Sequence, residues 1–154
     1  MATILKRIKQ LLELRFEEDS SFFIVELKPV PGNKIQIFVD RDNNVTSGDC
    51  VKIFKYLRNS LEEEELWHEN LYLEVSSPGM SKPFKVMRQY KKNQGRHVIV
   101  QLIDGNLKEG ILKETSDEEI VIEEHIKQKK KKLIIQETTI PFDAIKHVKK
   151  KVTF

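Results

Sequence analysis

The sequence predicts an α+β protein in two parts: an N-terminal α-β-β-α-β domain and a small C-terminal SH3-like or Sm-like β-barrel. Apolar residues recur at helical spacing in two stretches of the first half, whereas in the second half they alternate in short runs between turns. A Ser-Ser-Pro-Gly sequence at 76–79 stops the last strand of the first half, and Pro83 follows it. We therefore expect domains at residues 1–80 and 87–154, joined by a short Pro-containing linker at 81–86.

The N-terminal domain begins with a helix and a hairpin. An amphipathic helix follows Thr3, and its apolar stripe consists of Ile4, Leu5, Ile8, Leu11, Leu12 and Phe16. An apolar strand at 22–27 ends in the Pro- and Gly-rich loop at 29–33. Residues 34–40 then alternate, with Ile35, Ile37 and Val39 on one face. Two strands joined by a short loop of this composition predict a hairpin.

A capping signal predicts the second helix. Thr46 stands three residues before Asp49, which approximates the spacing of a capping box. We assign the apolar side of this helix to Cys50, Val51, Phe54, Tyr56, Leu57 and Leu61, and its solvent-facing end to Glu62, Glu63, Glu64 and Glu65. A strand at 71–75 then completes a three-stranded sheet covered by two helices.

The second half is predicted to be almost entirely β. One or two helical turns at 86–94, stopped by Gly95, come first. Five short strands follow, at 97–102, 107–113, 119–124, 133–137 and 144–148. Asp104-Gly105-Asn106 is a hairpin turn, Gly110 predicts a bend or bulge, and Pro141-Phe142-Asp143 predicts a short helical turn. Five short strands with a bent second strand are typical of a small SH3-like or Sm-like barrel.

Charge is distributed unevenly between the halves. Residues 1–84 have a balance of −3 and residues 85–154 a balance of +6, which suggests a polyanion partner for the second half. The basic residues form three clusters: Lys85, Arg88, Lys91, Lys92 and Arg96 around the junction; Lys127, Lys129, Lys130, Lys131 and Lys132 on a predicted hairpin tip; and Lys146, Lys149, Lys150 and Lys151 in the C-terminal tail. Such clusters can contact phosphates with little sequence selectivity. The alternative is that these lysines only keep the protein in solution.

Motifs for catalysis, cofactors or metals do not occur in the sequence. Asp40 to Asn44 begins like a calcium loop, but Val45 and Val51 stand where glycine and glutamate are needed. The four histidines lack metal-type spacing, and the P-loop and dinucleotide glycine motifs are missing. One cysteine excludes an internal disulfide, and no apolar run approaches the roughly 20 residues that span a bilayer. We therefore expect a cytoplasmic, non-enzymatic protein without cofactor or metal.

One long segment carries a resemblance to a known family. Leu73-Glu74-Val75-Ser76-Ser77-Pro78-Gly79, followed by Lys82 and Pro83, resembles the signature of the bacterial ribosome maturation factor family RimP. Further segments are similar to the family in the same order: Phe23–Leu27, Ile37–Asp40, Val45–Cys50, Gly95–Val100 and Ile140–Ile145. The family usually has Asp-Arg before the second proline, whereas this chain has Ser81-Lys82. Lysine keeps the charge but loses the two-pronged hydrogen bonding of arginine.

The resemblance implies a non-enzymatic factor that binds the free small (30S) ribosomal subunit and assists its late maturation. It also implies that the C-terminal barrel contacts a ribosomal protein near the decoding region. By this hypothesis the protein is a monomer in solution, and the basic clusters hold phosphates of 16S rRNA. The motif residues Glu74, Ser76, Ser77, Pro78, Gly79, Lys82 and Pro83 would form an interdomain turn that fixes the angle between the domains.

Two other classes of protein stay open at this point. A general RNA-binding or RNA-chaperone module would bind unstructured RNA as well as assembled subunits. A protein–protein adaptor, whose lysines only keep it in solution, would bind its partners with little dependence on salt.

Overall fold

The structure is a computed structural model of the 154-residue chain, and it describes residues 2–79, 82–127 and 133–151. The chain divides into two compact units after Pro78.

The N-terminal unit has the predicted α-β-β-α-β order. Its elements are α1 (Ala2–Glu18), β1 (Phe22–Val30), β2 (Lys34–Arg41), α2 (Ser47–Glu63) and β3 (Tyr72–Ser76). The three strands form one sheet in the order β1-β2-β3, with β1 antiparallel and β3 parallel to β2. Because α2 carries the chain back across the sheet before β3 begins, β3 runs in the same direction as β2.

One apolar core holds the N-terminal unit together. Ile35, Ile37 and Val39 are fully buried on one face of β2, as their alternation predicts, and they pack against both helices. The assignment of α2 needs one correction, since Val51 is 52% exposed and Ile53 is buried in its place. Residue 53 lies on the same helical face as Cys50 and Leu57, three and four residues away, whereas residue 51 lies off that face.

The first strand is longer than predicted, because β1 continues through Pro29 to Val30. Pro29 lies opposite Ile35 in the register. In the described residues β1 pairs only with β2, so it is an edge strand, where a residue without an N–H is tolerated. Gly32 and Asn33, with φ of +90° and +56°, then make the turn into β2.

The predicted capping box at the start of α2 is confirmed. Thr46 Oγ1 accepts a hydrogen bond from the Asp49 backbone N–H at 3.0 Å, and Asp49 Oδ2 accepts one from the Thr46 backbone N–H at 3.0 Å. The backbone N–H of Thr46 is the main reason that the pKa of the Asp49 carboxyl lies below its ordinary value. Arg41 Nη1, 3.6 Å from Asp49 Oδ2, also favours the ionised form.

The C-terminal unit is a five-stranded antiparallel sheet with one short helix. Its elements are α3 (Met87–Lys92), β4 (His97–Leu102), β5 (Leu107–Thr115), β6 (Glu119–Lys127), β7 (Leu133–Pro141), a 3₁₀ turn (Phe142–Ala144) and β8 (Ile145–Lys150). The strand order is β7-β6-β5-β4-β8. The number of strands and the short helical turn after Pro141 are therefore as predicted. The closed SH3-like or Sm-like barrel is not, because β7 and β8 do not pair within the described residues.

Three aromatic rings pack together near the two end strands of this sheet. The Phe84 N–H donates to the carbonyl of Val148 in β8 at 2.7 Å, and Phe142 directly follows β7. Tyr90 of α3 makes edge-to-face contacts with both rings, with centroid distances of 5.2 Å to Phe84 and 5.3 Å to Phe142. The Tyr90 side chain is a buried member of the apolar core of this unit, and Phe84 and Phe142 pack against that core.

Gly110 is required by a close backbone approach and not by the bulge that the sequence suggests. Strand β5 pairs with β4 at residues 107–111 and with β6 at 111–115. The irregular register lies between Leu112 and Glu114. A Cβ on Gly110 would run into the main chain of Glu123, lying 2.9 Å from its carbonyl carbon. Only glycine lets β6 cross β5 this closely.

We expect Gly110→Ala to lower the free energy of unfolding by about 2 kcal/mol, because the backbone of β5 or β6 must shift to admit the methyl group. Chemical denaturation followed by far-UV circular dichroism measures the change. Gly48→Ala is the matched control, since its Cβ would meet only Thr46 Oγ1 at 3.7 Å in the first turn of α2. Equal stability of the two variants would show that the sheet accommodates a side chain at position 110.

We expect Asp49→Ala to destabilise the protein by about 1 kcal/mol at neutral pH, the usual effect of losing a capping interaction. Since the pKa of Asp49 is lowered in the folded protein, its contribution is complete above the ordinary value of 3.8 and is lost as the pH falls through the lower folded value. The stability difference between variant and wild type should therefore shrink in acid. A difference that stays constant from pH 7 to pH 3 would contradict the capping role.

Candidate functional site

The turn that carries the family signature begins where β3 leaves the sheet. Ser76 is the last residue of β3 in register with β2, opposite Phe38. Gly79 has a φ of +75°, and a Cβ there would meet nothing within 4 Å. Glycine is therefore favoured here by the left-handed backbone conformation, and not by a lack of room for a side chain. Lys82 and Pro83 are exposed, and Ser81 lies outside the described residues.

Two serines of the turn line a surface groove that sequence reasoning missed. The groove has a volume of about 470 Å³ and lies between the first turn of α2 and the end of β3. Its lining consists of Ser47, Cys50, Val51, Phe54, Val75, Ser76 and Ser77. Val51, assigned from the sequence to the apolar side of α2, is exposed and contributes to the apolar lining of the groove together with Cys50, Phe54 and Val75.

Cys50 in this groove is a packing residue. Its side chain is buried, as its place on the apolar side of α2 predicts. Burial, and then the charge of Asp49, raises the pKa of the thiol. A thiol with a raised pKa forms little thiolate, which is the reactive species.

Glu74 is engaged within the sheet. Its Oε2 lies 2.6 Å from Lys34 Nζ on the neighbouring strand, and the same ammonium lies 5.5 Å from the centroid of the Tyr72 ring. The hydrogen bond from Lys34 to Glu74 raises the pKa of that ammonium. The carboxylate of the signature motif is thus neutralised by β2 and supports the β2–β3 pairing.

The junction cluster of basic residues surrounds α3. Lys91 and Lys92 occupy the last turn of this helix, where positive charge is favourable, while Lys85 and Arg88 lie at its beginning. Arg96, directly before β4, is held against the interior of β5, because its carbonyl accepts a hydrogen bond from the Leu112 N–H at 3.0 Å. Lys85, Lys91 and Arg96 are exposed, and the other two are half-buried.

The C-terminal cluster lies in a strand and not in a tail, which corrects the sequence prediction. Lys149 and Lys150 belong to β8, opposite Ile99 and Val98 of β4. The Lys151 N–H donates to the His97 carbonyl at 3.0 Å, next to Arg96. The structure therefore brings the end of the β8 cluster and Arg96 of the junction cluster to the same end of the sheet. The predicted tip residues Lys129, Lys130, Lys131 and Lys132 lie outside the described residues.

Some basic residues of the C-terminal unit, including Lys151 of the C-terminal cluster, form ion pairs on the sheet. Lys113 Nζ lies 3.1 Å from Glu123 Oε2, and Lys151 Nζ lies 3.1 Å from Glu109 Oε1. Hydrogen bonds from Lys113, and then from His125, lower the pKa of the Glu123 carboxyl. These pairs reduce the positive field of the sheet surface. Within the described residues, Lys91 and Arg96 stay exposed and form no salt bridge.

Within residues 2–79, 82–127 and 133–151, no group of His, Cys, Asp and Glu side chains is arranged to hold a metal ion. No helix in the same ranges is long and apolar enough to cross a membrane. The calcium-like segment begins with Asp40, whose Oδ1 accepts a hydrogen bond from the Arg41 backbone N–H at 2.8 Å.

Known proteins are similar to this chain over both units. The family described as "RimP N-terminal domain" matches residues 12–81. The ribosome maturation factor RimP of Flavobacterium psychrophilum is 37% identical over 126 residues, which cover 82% of this chain and 79% of the relative. The protein of the same name from Christiangramia forsetii is 31% identical over 154 residues, covering 97% and 98%. That from Cytophaga hutchinsonii is 33% identical over 124 residues, covering 74% of each.

Proposed function

This chain belongs to the ribosome maturation factor RimP family, and on that premise we propose that it binds the free small (30S) ribosomal subunit and assists its late assembly without catalysing a reaction. The names of the relatives support a role in ribosome maturation. In this proposal the protein is a cytoplasmic monomer, and its partners are 16S rRNA and a ribosomal protein near the decoding region.

The observation that carries the proposal is the extent of the similarity. A relative named for ribosome maturation can be aligned with this chain across 97% of this chain and 98% of the relative. The two proteins therefore share both units. The signature segment from Leu73 to Pro83 lies inside this alignment. A protein that merely used a similar β-sheet for another purpose would not be expected to keep the N-terminal unit and the turn as well.

The charge of the C-terminal unit supports rRNA as a direct partner. Lys91 and Arg96 are exposed, and neither forms a salt bridge within the described residues. Lysine and arginine side chains that contact phosphates displace condensed cations, which makes binding strong at low salt and steeply salt-dependent. In the proposed complex this surface follows the phosphate backbone, and the ribosomal protein supplies the recognition that phosphates lack.

We expect the double variant Lys91→Glu/Arg96→Glu to bind free small subunits at least tenfold more weakly at about 0.1 M salt, and to lower the slope of log affinity against log salt by about 2, because two phosphate contacts are lost. Co-sedimentation across a salt series measures both quantities. Lys6→Glu/Lys55→Glu is the matched control, since it makes the same change in net charge at exposed positions of α1 and α2. If the two double variants weaken subunit binding equally, the surface around α3 is not the rRNA contact.

The same experiment with different binding targets tests the class of protein. We expect binding to free small subunits in preference to both intact ribosomes and unstructured RNA. Binding that ignores the assembly state would identify a general RNA-binding module. Binding with almost no salt dependence would identify a protein–protein adaptor.

We propose that the turn at 76–79 sets the angle between the two domains, and Gly79→Ala tests this role. The substitution forces alanine into a left-handed conformation, which costs about 1 kcal/mol. Gly32→Ala in the β1–β2 turn is the control, because Gly32 has a similar φ of +90° and equally open surroundings. We expect similar losses of stability but weaker subunit binding only for Gly79→Ala. Co-sedimentation and thermal denaturation measure the two effects, and equal binding by both variants would refute the role.

A further inference from the structure

Strand β7 leaves one edge of the C-terminal sheet without a partner. It is the outermost strand, and it pairs with β6 without a bulge from Pro141, opposite Glu119, to Leu133, opposite Lys127. No strand of the described residues lies on its other side. A regular, nine-residue edge strand exposes a row of backbone donors and acceptors that another extended chain can pair with.

The register identifies which backbone groups point outward. The Phe142 N–H donates to the Glu118 carbonyl at 2.9 Å, which continues the β6–β7 ladder by one residue. Since hydrogen-bonded residues alternate in an antiparallel ladder, residues 134, 136, 138 and 140 bond inward to β6. The N–H and C=O groups of Ile135, Glu137 and Thr139 therefore face the open edge. All three residues are exposed.

The opposite end of the sheet does not offer an equivalent edge. The carbonyl of Val148, in the middle of β8, already accepts the hydrogen bond from the Phe84 N–H. The chain before α3 thus occupies part of the outer side of β8. Head-to-tail pairing of β7 from one copy with β8 of another would have to displace this contact.

Carboxylates lie at one end of the open edge. A groove of about 500 Å³ at the end of β7 is lined by Asp117, Glu118, Glu119, Pro141, Phe142 and Asp143. Within the described residues, none of these four carboxylates forms a salt bridge, and neither does that of Glu137. The C-terminal end of β7 is therefore acidic within the described residues, whereas the five lysines of residues 127–132 precede β7 in the sequence.

The position of Glu137 argues against a second copy of this chain as the occupant. Glu137 is the central residue of β7, so antiparallel pairing of two β7 strands with full overlap would place it opposite its own counterpart. Like charges directly opposite each other in a sheet are destabilising. A partner strand with lysine or arginine at this place replaces the repulsion by attraction.

We propose that β7 binds a basic, extended segment of a protein partner as an additional strand of the sheet. The backbone groups of Ile135, Glu137 and Thr139 hold the segment through main-chain hydrogen bonds. Glu137 and the carboxylates of the acidic groove select for lysine and arginine side chains. The proposal does not depend on the function proposed above, because it concerns only the pairing capacity and charge of this edge.

A peptide titration on the full-length protein tests the proposal. The probe is a blocked eight-residue peptide that alternates lysine and valine, and the readout is the backbone amide spectrum by NMR. We expect the largest shifts at Ile135, Glu137 and Thr139. A peptide with glutamate in place of lysine should bind at least tenfold more weakly. A lysine peptide that is methylated on alternate backbone nitrogens keeps its positive charge but loses backbone N–H hydrogen-bond donors. It should no longer bind if the peptide pairs with β7 through main-chain hydrogen bonds.

Variants of β7 separate charge from pairing. Glu137→Lys should weaken binding of the lysine peptide about fivefold, because a cross-strand attraction becomes a repulsion. Thr139→Pro removes one outward-facing backbone N–H but leaves the hydrogen bonds between β7 and β6 intact, so it should weaken peptide binding. Thr139→Val keeps that N–H and should not weaken peptide binding.

Three results would overturn the proposal. The first is amide shifts centred on α3 or β8, and the second is undiminished binding of the methylated peptide. The third is a dimer, detected by analytical ultracentrifugation, whose interface is β7. Because no ribosomal particle is present, a failure here is distinct from a failure to bind small subunits.

Discussion

The Tyr90 ring, held between Phe84 and Phe142, is the contact on which the arrangement of the C-terminal unit depends. The sheet does not close by backbone hydrogen bonds between its end strands, so side chains must exclude water from one side of the core. Each edge-to-face pair contributes about 1 kcal/mol beyond the area that it buries. Burial also raises the pKa of the Tyr90 phenol, so the ring remains neutral. Because α3 supplies this ring, the same interaction fixes the helix whose last turn carries Lys91 and Lys92.

Closure by side chains has two consequences for the surface. It leaves the edge of β7 open to a partner, and it brings basic residues to the side where α3 and β8 lie. Within the described residues, the unit therefore has basic residues around α3 and β8 and an acidic groove at the end of β7. A net charge of +3 for the whole chain conceals this separation. A phosphate backbone and a basic polypeptide would each be attracted to one region and repelled by the other.

Sequence patterns predicted those parts of the structure that local rules determine. The alternation of Ile35, Ile37 and Val39, and the spacing of Thr46 and Asp49, each depend on neighbours in the chain, and both predictions are confirmed. The errors arose where the environment of a residue depends on distant chain segments. Val51 is apolar yet exposed, and Lys149 lies in a strand, because β4 offers an edge to which the last residues can pair. Gly110 was recognised as special, but its reason, the passage of Glu123, is a contact between strands. The groove beside Ser76 and Ser77 and the open edge of β7 were missed for the same reason.

The two proposed contacts would differ in their dependence on salt, and this difference bears on how such a protein distinguishes a maturing particle from free RNA. Phosphate contacts weaken steeply as salt rises, whereas main-chain pairing with β7 changes little apart from its charge component. Either contact alone is modest. On a particle that presents both rRNA and a basic protein segment within reach, the second contact forms at a high effective concentration, and the combined affinity can exceed either one by orders of magnitude. Free RNA offers only the first contact. Selectivity for a protein-bearing particle then requires no sequence-specific reading of RNA, only two surfaces of opposite charge on one small unit.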